Sequence, residues 1–204
     1  MKTARFLLAK GFTLVELLIV IALIGVLAVA VLAAINPLEQ LNRARDTGME
    51  SDASQLLAAI DRFYASQEKF PWVFQVGCTN CQTDNDAAFG FFSAKDQGVG
   101  VCGANCTTKG ILLDQYELKS EFLNRKFIKA LDATEADLLY ISKDEGASTS
   151  VYACWVPTSQ AKRSKATWGI TLDDPVRAAR TCTTTPGGTD WTDIAEACMV
   201  CIPQ

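Results

Sequence analysis

From Phe12 to Ile35 the chain runs 24 residues with a single charged side chain, Glu16. A helix needs about 20 consecutive apolar residues to cross a bilayer core, so this stretch is long enough to span. A carboxylate inside such a segment costs roughly 2.5–3.5 kcal/mol at the bilayer centre and less near its edge, and such groups are ordinarily partnered and functional. Three cations, Lys2, Arg5 and Lys10, precede the run in a leader ending at Gly11, and the first charge beyond it is Glu39. That asymmetry predicts one pass, with everything after the run outside the cytoplasm. A secretory signal peptide is the competing reading, with Ala28-Val29-Ala30 as its cleavage site. Its apolar region spans about 7–15 residues, so the run is too long, and Glu16 sits in what should be its apolar heart.

The order Lys10-Gly11-Phe12-Thr13-Leu14-Val15-Glu16, followed by a hydrophobic stretch containing Gly25, resembles the N-terminus of type IV prepilins and of the pseudopilins of type II secretion systems. The resemblance covers only this segment. It implies that a membrane-bound prepilin peptidase cuts between Gly11 and Phe12 and methylates the new amine of Phe12. Thr13 and Glu16 then become assembly residues. The physical logic agrees. Cleavage creates an α-amine with a reference pKa near 8, and Glu16 lies four residues along, on the same helical face. Pairing an amine with a carboxylate in apolar surroundings removes most of the cost that each has alone. If the amine belongs to a neighbouring subunit, the pair also sets the axial offset between two helices. A plain tether with a tolerated glutamate is the blander reading. It leaves Gly11-Phe12 and the basic leader unexplained.

Beyond Ile35 remain 169 residues, enough for one globular domain. Losing the leader removes three cations and no acids, taking the formal charge from −4 to −7. An acidic chain lacks the basic footprint of a phosphate binder. There is no histidine, which excludes histidine general bases and histidine-ligated metals. No catalytic constellation is visible, and a non-enzymatic protein is expected.

Helical patterning continues past the run, with Leu38, Leu41, Met49, Ala53, Leu56, Ile60, Phe63 and Tyr64 on one face. Gln40, Arg43, Asp46, Glu50, Gln55 and Arg62 fill the opposite one. Asn36-Pro37 should interrupt the helix, and Gly48 is a second weak point. Lys69-Phe70-Pro71-Trp72 ends it, since the residue before proline leaves the α region. A loop from Gln75 to Gly110 follows, with an apolar island at Ala87–Phe92. Leu118, Phe122, Phe127, Ile128 and Leu131 suggest a second, shorter helix. Leu138–Ser142 and Ser150–Pro157 read as strands around a turn through Glu145 and Gly146, and Thr167–Leu172 as a third. The tail from Thr181 is rich in turn residues, Pro186-Gly187-Gly188 among them.

The eight cysteines, Cys78, Cys81, Cys102, Cys106, Cys154, Cys182, Cys198 and Cys201, are even in number in a domain expected outside the cytoplasm, so disulfides are the first reading. They fall into two groups, the first four bracketing the Gln75–Gly110 loop and the last four gathered around the strands and tail. Connectivity stays open, because eight cysteines allow 105 full pairings. Structural zinc on four thiolates is the sharper alternative. A redox-active CxxC is disfavoured by the absence of a βαβ setting. Asp173, Asp174, Asp190, Asp193 and Glu196 are candidate calcium ligands. Lys162, Arg163 and Lys165 form a basic patch read as a solvated strand edge. Trp72, Trp155, Trp168 and Trp191 are read as packing residues.

The expected fold is α+β: a long N-terminal helix on a small antiparallel sheet with cysteine-rich loops. Residues 1–11 form the cleaved leader, 12–36 the transmembrane and assembly helix, 37–66 its amphipathic continuation, and 67–204 the cysteine-rich domain. The expected function is a pilin or pseudopilin subunit of a type IV pilus-like or type II secretion-like filament. Its partners are prepilin peptidase, identical or related subunits, an inner-membrane platform with its cytoplasmic ATPase, and membrane lipid before assembly. The alternative is a membrane-tethered cysteine-rich binding protein or adhesin. No cofactor is committed, with zinc or calcium the only candidates.

Overall fold

The computed structural model describes residues 11–34, 36–78, 80–129, 137–171, 174–179, 181–182 and 197–203. The chain divides into two compact units, Met1–Gln40 and Leu41–Gln204. The leader cations, Leu131, Asp173, Pro186–Gly188, Asp190, Trp191, Asp193 and Glu196 lie outside the described residues.

In the first unit, α1 (Leu14–Ala34) is apolar all round and long and apolar enough to cross a membrane, with none of its span buried. A helix of that kind requires lipid or other helices around it. It stops before Asn36-Pro37. Pro37 opens α2 (Pro37–Gln67) at a position where its missing N–H is no loss. The Asn36 side chain accepts from the Glu39 amide at 3.3 Å and caps that start.

In the second unit, the apolar stripe of α2 is buried at Ala53, Leu56, Ile60 and Phe63, while Leu41 is 67% exposed. Full burial contributes roughly 1.5–3 kcal/mol for each large aliphatic or aromatic side chain. Gly48 stays within the helix. The helix ends at Gln67, and Pro71 restarts the chain as the single turn α3 (Pro71–Phe74). Trp72 joins a stack of aromatics from neighbouring segments: Tyr64 on Phe70 at 4.4 Å, Phe70 on Trp72 at 4.8 Å, Trp72 on Phe89 at 4.2 Å. Next comes α4 (Ile111–Asp114), held against α3 by a close approach at Gly100. Gly100 has φ +85, and a Cβ there would meet Ile111 Cγ2 at 2.8 Å, so only glycine fits.

The expected helix through Leu118, Phe122, Phe127 and Ile128 is corrected over its described part. The chain makes a 3₁₀ turn, Ser120–Asn124, and a separate turn α5 (Lys126–Lys129), with extended backbone at Arg125 between them. That break buries Phe122, Phe127 and Ile128 together, which one straight helix would not need to do.

Among the described residues the sheet has six antiparallel strands: β1 (Phe89–Ser93), β2 (Leu139–Lys143), β3 (Val151–Trp155), β4 (Trp168–Thr171), β5 (Asp174–Ala179) and β6 (Cys198–Ile202). Their order is β1-β2-β3-β6-β4-β5. The sheet is curled, and the strands at its two ends approach within 8 Å between Cα atoms. The apolar island read as part of a loop is thus a strand, and the turn-rich tail returns as β6 between β3 and β4. Val200–Ile202 pair with β3, and Cys198 and Met199 pair with β4. The fold is α+β, with the core between α2 and the sheet.

Asp46, placed by periodicity on the polar face of α2, is 1% exposed. Its carboxylate accepts from the Thr158 amide and hydroxyl (both 2.9 Å) and from the Ser159 amide and hydroxyl (2.8 and 2.5 Å). Ser159 in turn caps α6 (Gln160–Arg163). Replacing Asp46 with alanine removes the shared acceptor of four donors, only the Thr158 hydroxyl keeping a second one in the Asn42 carbonyl at 3.3 Å, and should destabilise the second unit by about 3 kcal/mol. Asparagine should lose less. Denaturant unfolding of the full chain in micelles measures both.

Candidate functional site

Gly11, Phe12 and Thr13 precede α1 in irregular backbone, and all three are exposed, Phe12 by 76%. Nothing lies within 4 Å of where a Gly11 Cβ would stand. Thr13 and Glu16 form a reciprocal capping box. The Thr13 hydroxyl accepts from the Glu16 amide at 3.2 Å, and Glu16 Oε2 accepts from the Thr13 amide at 3.0 Å. The hydroxyl also donates to Glu16 Oε2 at 2.7 Å. This satisfies helix-start donors that hydrocarbon cannot. The carboxylate also lies in the first turn, where the helix dipole favours negative charge. The Gly11–Phe12 bond therefore sits just outside the helix, in exposed irregular backbone next to a carboxylate directed at the helix start.

All eight cysteines are paired: Cys78–Cys81, Cys102–Cys106, Cys154–Cys201 and Cys182–Cys198. The bridges run within each of the two sequence groups. Pairing commits every sulfur, so a four-thiolate zinc site is replaced by covalent links. Cys154 and Cys201 are register partners on β3 and β6, both buried, and Cys182–Cys198 reaches β6 from the segment after β5. By loop-closure entropy a bridge across 47 residues is worth about 4 kcal/mol, and one across 3 about 2 kcal/mol.

Among the described residues, four charge pairs join α2 to the surrounding chain: Arg45 to Asp137, Glu50 to Lys162 (2.7 Å), Asp52 to Arg125 (3.0 Å) and Arg62 to Glu117 (3.0 Å). Exposed pairs are worth about 0–1 kcal/mol each, so they orient the helix more than they hold it. Burial pushes the Asp52 carboxyl up from its usual range, and Arg125 offsets part of that rise. The basic patch is also reassigned. Lys162 and Arg163 belong to α6, where Lys162 pairs with α2 and Arg163 Nε donates to the Pro157 carbonyl at 3.1 Å.

Lys143, one residue past the strand expected over Leu138–Ser142, is 1% exposed. Its ammonium donates to the Asp144 and Gly146 carbonyls (3.0 and 2.6 Å) and stands 5.5 Å from the Phe70 ring centroid. Burial pushes its pKa down, opposed by Asp86, Asp144 and Asp84. No pattern marks Asp46 or Lys143 in one dimension, because their partners come from turns distant in sequence or from backbone carbonyls.

Trp72 and Trp155 are buried core residues and Trp168 is half-buried. Of the calcium candidates only Asp174 lies in described backbone, in β5. Among the described residues no group of carboxylates and thiols is arranged for a metal.

The family model of the prokaryotic N-terminal methylation motif matches residues 8–32. The chain therefore carries the prepilin-type cleavage and methylation signal at the head of α1, the mark of a type IV pilin-like or pseudopilin-like precursor. No curated protein and no solved structure gives a significant match.

Proposed function

We propose that this chain is a structural subunit of a type IV pilus-like or type II secretion-like filament. The observation that carries the proposal is the methylation motif at residues 8–32, set at the start of a helix whose apolar side chains are exposed on every side. Prepilin peptidase cuts after Gly11 and methylates Phe12. The precursor waits in the cytoplasmic membrane with its disulfide-bonded domain outside. Assembly then exchanges lipid around α1 for the same helices of neighbouring subunits, so one segment serves both environments. Extraction requires an inner-membrane platform and a cytoplasmic ATPase. The role is structural and requires no catalysis.

The test is intact mass and N-terminal sequencing of the protein recovered from cells. A chain beginning at N-methylated Phe12 is the expected result. One beginning at Met1, or after Ala30, overturns the proposal.

A further inference from the structure

We propose that the Cys78–Cys81 bridge is a site of reversible thiol–disulfide exchange, open to a small thiol or dithiol while the other three bridges stay closed. The inference does not depend on filament assembly. It rests on how the four bridges are placed. Cys102, Cys154, Cys198 and Cys201 are 0–1% exposed, so every other bridge has at least one sulfur-bearing residue sealed in the core. Cys78 and Cys81 are both half-buried.

The surroundings favour approach. Val76 is 97% exposed, and Gly77 (φ +82) has nothing within 4 Å of its Cβ position. Exchange needs a thiolate to reach one sulfur in line with the S–S bond while the other leaves as a thiolate. Cys106 and Cys182 are half-buried too, but attack on either expels the thiolate of a cysteine sealed in the core, where burial penalises its charge.

Opening this bridge need not unravel its neighbourhood. The Gln82 amide donates to the Trp72 carbonyl at 2.8 Å, and the Cys81 amide to the Cys78 carbonyl at 3.3 Å. Gln75 Nε2 donates to the Gln97 carbonyl at 2.9 Å, and Asn80 Nδ2 to Asp96 Oδ2 at 2.5 Å. The bridge closes the shortest loop of the four, with a separation of 3, so it constrains the unfolded chain least. The most accessible bridge is therefore also the one the fold needs least.

The chemistry balances with a dithiol reductant. One of its thiolates attacks a cysteine sulfur, the protein S–S bond breaks, and the other cysteine leaves as a thiolate. The second reductant thiol then attacks its own sulfur in the mixed disulfide. This releases the first cysteine and the oxidised cyclic reductant, so two electrons and two protons pass to the protein.

The test treats the oxidised full chain in micelles, without denaturant, with increasing dithiothreitol. Free thiols are trapped with iodoacetamide and located by peptide mass spectrometry. Cys78 and Cys81 should label at least about tenfold faster than any other pair, with the near-ultraviolet dichroism of the core unchanged. Labelling of another pair at an equal or greater rate overturns the proposal. So does simultaneous labelling of all eight, because the bridge would then open only with the domain. As a second arm, the Cys78→Ser/Cys81→Ser chain should keep the other three bridges and melt cooperatively, no more than about 8 °C lower. Scrambled bridges in that variant would also overturn it.

Discussion

Glu16→Ala is expected to leave the chain folded and membrane-bound while reducing its recovery in sheared filaments to background. The substitution removes a carboxylate from an apolar segment, an environment that penalises it by up to about 2.5–3.5 kcal/mol. Anchoring in lipid should therefore strengthen, and lost assembly cannot be explained by a weaker anchor. The capping box is a separate contribution, worth about 0.5–2 kcal/mol at a helix start. Glu16→Gln separates the two effects, since glutamine can close the box with Thr13 but carries no charge for a neighbour's Phe12 amine. If charge pairing drives assembly, the glutamine variant fails with the alanine one. Normal filament yield from both variants would overturn the pairing role of Glu16 in assembly.

The double substitution Cys154→Ser/Cys201→Ser should be the most damaging change to the second unit. The bridge joins register partners on β3 and β6 and spans 47 residues, for about 4 kcal/mol of loop-closure stabilisation. Domains are typically stable by only about 5–15 kcal/mol, so most of the margin is at stake. A fall in midpoint of about 8–16 °C is expected for a domain of this size. The cause is partly topological. The strand β6 enters between β3 and β4 from a distant part of the sequence, and the bridge keeps it there. Thermal melts of the full chain in micelles measure this. A shift no larger than that of Cys78→Ser/Cys81→Ser would mean that hydrogen bonding and packing alone seat β6.

Local patterns told most where the chain's chemistry is repetitive. The apolar run showed α1 because no polar side chain interrupts it after Glu16. The 3.6-residue stripe showed α2 from Met49 to Tyr64, and alternation around Glu145-Gly146 showed the β2–β3 hairpin. Reading failed where a residue's partners are non-local. Phe89–Ser93 looked like an island in a loop because β1 gains its hydrogen bonds only from β2, nearly fifty residues later. The tail looked like turns because β6 is defined by the two strands it enters between. Asp46 looked solvated because its four donors come from residues 112 and 113 positions further along the chain.

The sequence by itself determined the N-terminal chemistry: the prepilin-type motif, a helix of membrane length, the glutamate within it, and an even set of cysteines. The first three follow from residue type and spacing along one helix, and the last from a count, neither of which needs the fold. Tertiary structure alone decided which cysteines pair, where β6 inserts, why Asp46 and Lys143 are buried, and which bridge remains accessible. Each of these depends on burial and on contacts between distant segments, and those quantities exist only once the chain has closed on itself.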